Sequence, residues 1–431
     1  MSPETIGLIG IIVLLVLIFM RLPVAFALMV VGVVGYAVIR TPHAGLVKLG
    51  TDVFGSVHSY TLSVIPMFVL MGLFLGKAGL GRDLFRAFNA WVGHIRGGLS
   101  IASVIACAGF AAVSGSVIAT TATIAAVAVP EMRAHRYKDS LAVGSVAAGS
   151  TLGILIPPSS ILIVYGILTE ESIGQLLIAG ILPGILTASL LALTAWLQVK
   201  INPTLAPESI RADIKERKES VKYVWPVPLI FLVTMGGIYL GAFTPTEAGA
   251  MGAFLALVFC VLSRRLSRNN FSDSVKETCE ITVMLMVIII GGIIFGHFLS
   301  ISRIPMFLRE FVFDFPPLML IICIFICYFV AGFFMDELAT LIIFTSLFYP
   351  LIIAAGFDGI WYGIVSILMI LIGFLTPPVG VVSLVAAGIT KIKVETVFQG
   401  VIPFWIALIV ATFIIIFFPE VATFLPGLMR R

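Results

Sequence analysis

Long apolar runs, separated by short polar breaks, set the pattern of this chain. Ten of them fall near 5–20, 22–39, 57–76, 140–168, 173–199, 225–241, 246–262, 278–300, 360–389 and 395–418. About 20 apolar residues of helix, rising 1.5 Å each, cross the hydrocarbon core of a bilayer. Unbroken apolarity without period-two alternation predicts helices rather than the strands of a barrel. Arg21-Leu22-Pro23 divides the first two runs, and "FTPTEAG" divides the pair at 225–262. There Thr244 is expected to cap a helix, with Pro245 in the first turn and Glu247 closing a capping box.

Two further apolar stretches, 98–130 and 318–352, have polar or glycine-containing centres: "AAVSGSVIATT" and "VAGFFMDELATL". Each is about 33 residues long, and two full crossings with a turn need roughly 40 or more. They are expected to be re-entrant hairpins that stop halfway. Between the third run and the first hairpin, Leu84, Phe88, Trp91 and Ile95 recur at helical spacing within 81–96, the pattern of an interfacial amphipathic helix. "PESIRADIKERKES" is the one highly charged segment and reads as a solvated linker helix.

A shift of 220 residues lays the second half of the chain on the first. It pairs Pro130 with Pro350, Pro157-Pro158 with Pro377-Pro378, Gly153 with Gly373, Gly180 with Gly400 and Pro183 with Pro403. Ala119-Thr120 meets Ala339-Thr340. Five crossings per copy give the two copies opposite orientation. The expected fold is therefore an all-α polytopic membrane protein built as an inverted repeat, with two re-entrant hairpins and two broken helices. Residues 1–203 form the first repeat, 204–224 a cytoplasmic linker helix and 225–431 the second repeat.

Composition agrees. Hydrophobic residues make up 60% of the 431, charged residues 11%, and the mean hydropathy is +1.17. A water-facing surface needs about twice that share of charge. The net charge of +4 resides in a few loops, so it speaks for topology and not for nucleic acid. Basic clusters at Lys77–Arg96, Arg133–Lys138, Arg211–Lys222 and Arg264–Arg268 share one side if both termini are outside. The N-terminal run has no basic lead and no small-residue cleavage site, so it reads as a first span. Five cysteines form no CxxC pair, and those at 107, 260, 323 and 327 read as small apolar residues. No HExxH, no GxSxG and no His or Cys cluster points to an enzyme or a cofactor.

Two prolines inside an apolar run need a reason. In lipid an unpaired backbone group is costly, so interrupted helices occur in protein or against a cavity. Secondary transporters put them at the midplane, where freed carbonyls hold Na⁺ or helix N-termini hold an anion. "GSTLGILIPPSS" offers Ser150, Thr151 and Gly153 before Pro157-Pro158, and "IGFLTPPVG" offers Gly373, Thr376, Pro377 and Gly380. The polar centres Ser114-Gly115-Ser116 and Gly332 to Asp336-Glu337 are the matching hairpin tips. Adjacent acids cannot face lipid. Asp336 is open to two readings, a helix cap or an ion-related group, and His297 to packing or proton relay.

With these residues in view, the chain resembles the large membrane subunit of tripartite ATP-independent periplasmic (TRAP) transporters. The resemblance runs along the whole chain, through "RLPVAFAL", "SGSVIATTATI", "VPEM", "GSTLGILIPPSSILIVYG", "FTPTEAGA", "GFFMD" and "FLTPPVGV". It implies Na⁺-driven uptake of an organic acid, such as a C4-dicarboxylate or sialic acid, by an elevator mechanism in the bacterial inner membrane. It implies two protein partners, a small four-helix membrane subunit and a periplasmic solute-binding protein, and no cofactor beyond Na⁺ as coupling ion. By motif, one Na⁺ lies between Ser114, Gly115, Ser116 and Ser150, Gly153, Pro157. A second lies between Gly332, Asp336 and Gly373, Thr376, Pro377. Thr120, Ser159, Thr340 and Gly380 are the expected substrate-facing positions. "FFMDEL" departs from the family pattern in having a more acidic tip. A stand-alone carboxylate/sodium symporter or an ion antiporter of the same hairpin architecture is the alternative reading.

Overall fold

A computed structural model describes residues 1–207, 214–312 and 315–429. Part of the charged linker, with Arg211, and the C-terminal Arg430 and Arg431 lie outside the described residues.

Helices account for nearly every apolar run, and their starts carry the caps that the sequence offers. α1 (Pro3–Phe19) and α2 (Val24–Ile39) flank Arg21, which adopts a left-handed φ of 65°. α3 (Pro42–Val57) follows, capped by Thr41 through the Ala44 amide at 3.2 Å. Apolar runs do not announce it, because it buries only Gly45 and Ser56. A 3₁₀ turn at Tyr60–Ser63 leads into α4 (Val64–Lys77) and α5 (Leu80–Val92). α5 is amphipathic as expected, but its buried face is Leu80, Leu84, Phe85 and Ala87, and Trp91 is half exposed. Of the expected stripe, Leu84 is buried and Phe88 and Ile95 pack against the core, while Trp91 is exposed.

α6 (Gly98–Ser114) and α7 (Val117–Ala134) form the first hairpin. α8 (Asp139–Ser150), a 3₁₀ turn at Thr151–Ile154 and α9 (Ser160–Thr169) form the first interrupted helix. α10 (Ile173–Ala179) and α11 (Ile181–Ile201) share one span that changes course at Gly180. α12 (Ile214–Val224) is the described helix of the linker and lies on α5, with Arg217 Nε donating to the Ala90 carbonyl at 3.1 Å.

The second half repeats the order. α13 (Pro226–Tyr239) and α14 (Pro245–Leu262) are divided at "FTPTEAG", and the capping box forms. The Thr244 amide donates to Glu247 Oε2 at 2.8 Å, and the Glu247 amide to Thr244 Oγ1 at 3.3 Å. α15 (Arg268–Ile301) is one continuous helix of 34 residues where the first half has α3 and α4. α16 (Ile304–Val312) parallels α5. α17 (Pro317–Ala331) and α18 (Glu337–Ala354) form the second hairpin. α19 (Gly359–Leu375) and α20 (Val381–Thr390) form the second interrupted helix, and α21 (Val394–Phe417) and α22 (Glu420–Gly427) close the chain. No strand occurs among the described residues.

Seven helical segments among the described residues are long and apolar enough to cross a membrane, or eight if α12 and α13, bent by 41°, count as one. That is fewer than the ten runs of the sequence. α1 and α2, at 17 and 16 residues, fall short of a straight crossing, and the interrupted helices are each split in two.

Close packing of small residues holds the assembly, as expected where lipid removes the hydrophobic drive between helices. A Cβ on Gly144 of α8 would lie 2.4 Å from the Gly400 carbonyl oxygen of α21, so these two backbones touch. The halves interlock: α7 packs on α20, and α18 packs on α9. Two large buried side chains reach backbone carbonyls across elements. The Tyr165 hydroxyl donates to the Gly359 carbonyl at 2.7 Å, and the Trp361 indole to the Ile415 carbonyl at 2.9 Å. Cys107 and Cys260 are buried, as small apolar residues should be, but Cys327 is exposed on α17 and Cys323 partly so.

Candidate functional site

α6 ends because Gly115 turns into the left-handed region at φ 59°, where its N–H still bonds to the Ala111 carbonyl at 3.0 Å. Ser116 then returns to extended backbone and caps α7 through the Ala119 amide at 3.3 Å. Thr120 donates to the Ser116 carbonyl at 2.7 Å, and its hydroxyl lies 3.1 Å from that of Ser114. This tip rests on the interruption between α8 and α9. A Cβ on Gly153 would lie 2.8 Å from the Ser116 carbonyl carbon, and one on Gly115 would lie 2.3 Å from the Pro158 carbonyl oxygen. Ser160 Oγ donates to the Gly115 carbonyl at 3.3 Å. The Pro157-Pro158 bond is cis. Ser159 caps α9 and donates to the Ile154 carbonyl at 2.6 Å, which takes up one carbonyl released by the break. Ser150 is set apart from the tip: its hydroxyl donates to the Val146 carbonyl at 2.7 Å and lies 3.6 Å from Cys107 Sγ, on the arm of α6.

The second tip is longer. α17 ends at Gly332, Phe333 to Met335 form the turn, and Asp336 caps α18 through the Ala339 amide at 2.7 Å. Thr340 donates to the Asp336 carbonyl at 2.8 Å. The two caps and the two threonines behind them thus recur at the spacing of 220 found in the sequence. Gly332 and Gly373 meet backbone to backbone: a Cβ on Gly332 would lie 2.5 Å from Gly373 Cα. Past Gly373 the helix stops, and Pro377-Pro378 is again cis. The Thr376 hydroxyl donates to the Ile372 carbonyl at 2.5 Å and accepts from the Trp405 indole at 2.9 Å. Gly380, at φ 47°, starts α20.

A cavity of about 480 Å³ opens beside the first tip, between α4, α15 and the start of α18. Ser114, Ser116, Thr123 and Ser160 are its hydroxyl residues, and residues in the first turns of α7 and α9 form part of its wall. Thr120, Ser159, Thr340 and Gly380 do not line it. The first three are buried and spend their hydroxyls on backbone carbonyls, and Ala119, Ser160 and, three residues before Thr340, Glu337 lie in the wall. Lys77 and Glu277, also in the wall, pair at 2.9 Å. Glu337 has a buried carboxylate oxygen, Oε2, with no hydrogen-bond partner.

Chemically this arrangement offers two things. Helix starts present free N–H groups to an anion. Interrupted backbone and hydroxyls present oxygen to a hard cation. No group of three His, Cys, Asp or Glu able to hold a metal occurs among the described residues. His297 lies away from the tips: its Nδ1 is 2.9 Å from Asp52 Oδ2, and Asp52 also pairs with Lys48 at 2.9 Å, which joins α15 to α3.

The profile of one protein family, "Tripartite ATP-independent periplasmic transporter, DctM component", matches residues 11–421. The chain is 35% identical over 384 residues to the "C4-dicarboxylate TRAP transporter large permease protein DctM" of Pseudomonas aeruginosa, covering 88% of this chain and 89% of that one. It is 30% identical over 416 residues to the "Sialic acid TRAP transporter large permease protein SiaM" of Vibrio cholerae, covering 96% of each. Among solved structures, the YdaH transporter of Alcanivorax borkumensis superposes with a TM-score of 0.55 at 13% identity, over 89% of this chain and 88% of that one. That likeness concerns the fold alone.

Proposed function

The chain belongs to the DctM component family of tripartite ATP-independent periplasmic transporters, and from that premise we propose that it is the translocation subunit of a sodium-coupled uptake system for organic acids. The family is one of transporter permeases and not of enzymes. The observation that carries the reading is the doubled site: two hairpin tips, each seated on an interrupted helix by direct glycine contact. One Na⁺ is assigned to the tip Ser114–Ser116 with Gly153 and Pro157. The other is assigned to Gly332 and Asp336 with Gly373, Thr376 and Pro377. In both, the carbonyls of the break supply oxygen, while Thr376 acts by holding the strand after Gly373 against Trp405. Ser150 supports the first site from behind.

In this reading 1–203 and 225–431 are inverted halves joined by 204–224. Hairpins and interrupted helices move together against the remaining helices, carrying ions and substrate across the bilayer as an elevator. A small four-helix membrane subunit braces the static helices in the bacterial inner membrane, and a periplasmic solute-binding protein delivers the substrate. Named relatives take C4-dicarboxylates and sialic acid, and the substrate here is an acid of that broad class.

The test is reconstitution. In proteoliposomes that contain this chain and the small subunit, uptake should require both the binding protein and an inward Na⁺ gradient, and the chain alone should give background. Receptor-independent uptake would favour the stand-alone symporter, and uptake driven by a proton gradient without Na⁺ would remove the ion sites.

The basic clusters support an orientation with both termini in the periplasm. A single cysteine at Ser2 should therefore react with an impermeant maleimide from outside, and one at Lys218 only after the membrane is opened. Reaction of both from outside contradicts the orientation.

A further inference from the structure

The cavity beside the first tip has an unbalanced charge. Its lining contains three charged residues, Lys77, Glu277 and Glu337. Lys77 and Glu277 neutralise each other at 2.9 Å. Glu337 is left without a cation, and its Oε2 is buried with no donor. Such a group is costly unless something pairs with it, and an ionisable group within a membrane-spanning region is functional by default. Glu337 is the first residue of α18, and Asp336 beside it accepts from the Ala339 amide. The missing partner is therefore something that enters the cavity.

We propose that Glu337 receives a positively charged nitrogen group of the substrate, so that this transporter takes a zwitterion, a carboxylate or other acid carrying a cationic nitrogen, rather than a simple dianion. The proposal rests on the transport reading above and names its substrate class. The opposite end of such a molecule has its own receptor. The first turns of α7 and α9 border the same cavity, with Ser116 and Ser160 in its wall, and a helix start suits an acid group. A dianion meets these donors at one end but a bare carboxylate at the other, and like charges in a shared site oppose binding. A zwitterion satisfies both ends at once.

The experiment uses the purified complex of this chain with its small subunit, in detergent and saturating NaCl, and follows the melting temperature with four probes. Ectoine and β-alanine are zwitterions; succinate and isethionate are anions without a cationic group. At least one zwitterion should raise the melting temperature, and the anions should not. Glu337→Gln should weaken the zwitterion at least about tenfold, the loss of a charged partner, and Glu337→Asp should recover part of that affinity. The stabilisation by Na⁺ alone should be the same in wild type and Glu337→Gln. The proposal is overturned if neither zwitterion stabilises the wild type, if the anions do so equally, if Glu337→Gln binds as the wild type does, or if that variant loses its response to Na⁺ alone. Replacing NaCl by KCl tests the underlying reading separately. Zwitterion binding that is unchanged in KCl counts against sodium coupling while the Glu337 comparison still decides the substrate class.

Discussion

Replacing Gly373 with alanine should bring receptor-dependent uptake down to background while the protein still reaches the membrane. A Cβ there would lie 2.8 Å from Gly332 Cα, well inside ordinary contact, and both sides of the contact are backbone. No flexible side chain can move aside, so the second tip must lift off its interrupted helix. Overpacking of this kind costs about 1–3 kcal/mol, which a chain of this size survives as a fold. An ion site does not survive it in the same way, because its oxygens must stay within a few tenths of an ångström of their places. Gly332→Ala should behave alike, since its Cβ would lie 2.5 Å from Gly373 Cα. Gly388 in α20 supplies the control. Nothing lies within 4 Å of a Cβ built there, so Gly388→Ala should keep full uptake and gain up to about 1 kcal/mol of helix stability. The check is Na⁺-driven uptake in proteoliposomes beside the gel-filtration profile of each variant. Wild-type uptake by Gly373→Ala would mean that the tip and the break do not need to touch.

What could be read from the sequence here was local chemistry. Ser114-Gly115-Ser116 announced a turn because the residues around it are apolar and glycine is the one residue at ease in its left-handed backbone. Pro157-Pro158 and Pro377-Pro378 announced the breaks, and Thr244, Pro245 and Glu247 announced a helix start whose hydrogen bonds are those expected. α3 has a start signal in Thr41-Pro42, but its apolar residues are interspersed with glycine and polar residues, so no unbroken apolar run marks it. Its neighbour α15 starts at Arg268 rather than near 278 for the same reason, a polar first turn that hydropathy hides. Partners distant along the chain were beyond reach. Nothing at Trp405 says that its indole meets the Thr376 hydroxyl, nor at Asp52 that it faces His297. Thr120, Ser159 and Thr340 lie outside the wall of the cavity for a related reason. A hydroxyl in an apolar stretch can serve a ligand or the backbone of its own helix, and Thr120, Ser159 and Thr340 serve the backbone.

Asp336 can be tried in a way that separates its two readings. As a cap, its side chain accepts from the Ala339 amide at 2.7 Å. Asparagine caps as well as aspartate does, whereas alanine loses about 0.5–2 kcal/mol of helix stability. As an ion ligand, what matters is the charge, and asparagine keeps only a neutral oxygen. Asp336→Asn is therefore expected to melt like the wild type yet to need far more Na⁺ for half-maximal uptake, by roughly 10- to 100-fold if one charge-assisted contact of about 1.5–3 kcal/mol is lost. Asp336→Ala should show the same rise together with a lower melting temperature. Ser116, which caps α7 at the matching place with a neutral hydroxyl, gives the scale. Ser116→Ala removes a dipole and not a charge, so its rise in the Na⁺ requirement should be smaller than that of Asp336→Asn. The measurement is uptake against Na⁺ concentration in the complete three-component system, with thermal melts run in parallel. If Asp336→Asn keeps the wild-type Na⁺ curve and Asp336→Ala only melts earlier, the carboxylate is a cap alone, and the second ion is held by the backbone of Gly332 and Gly373 without it.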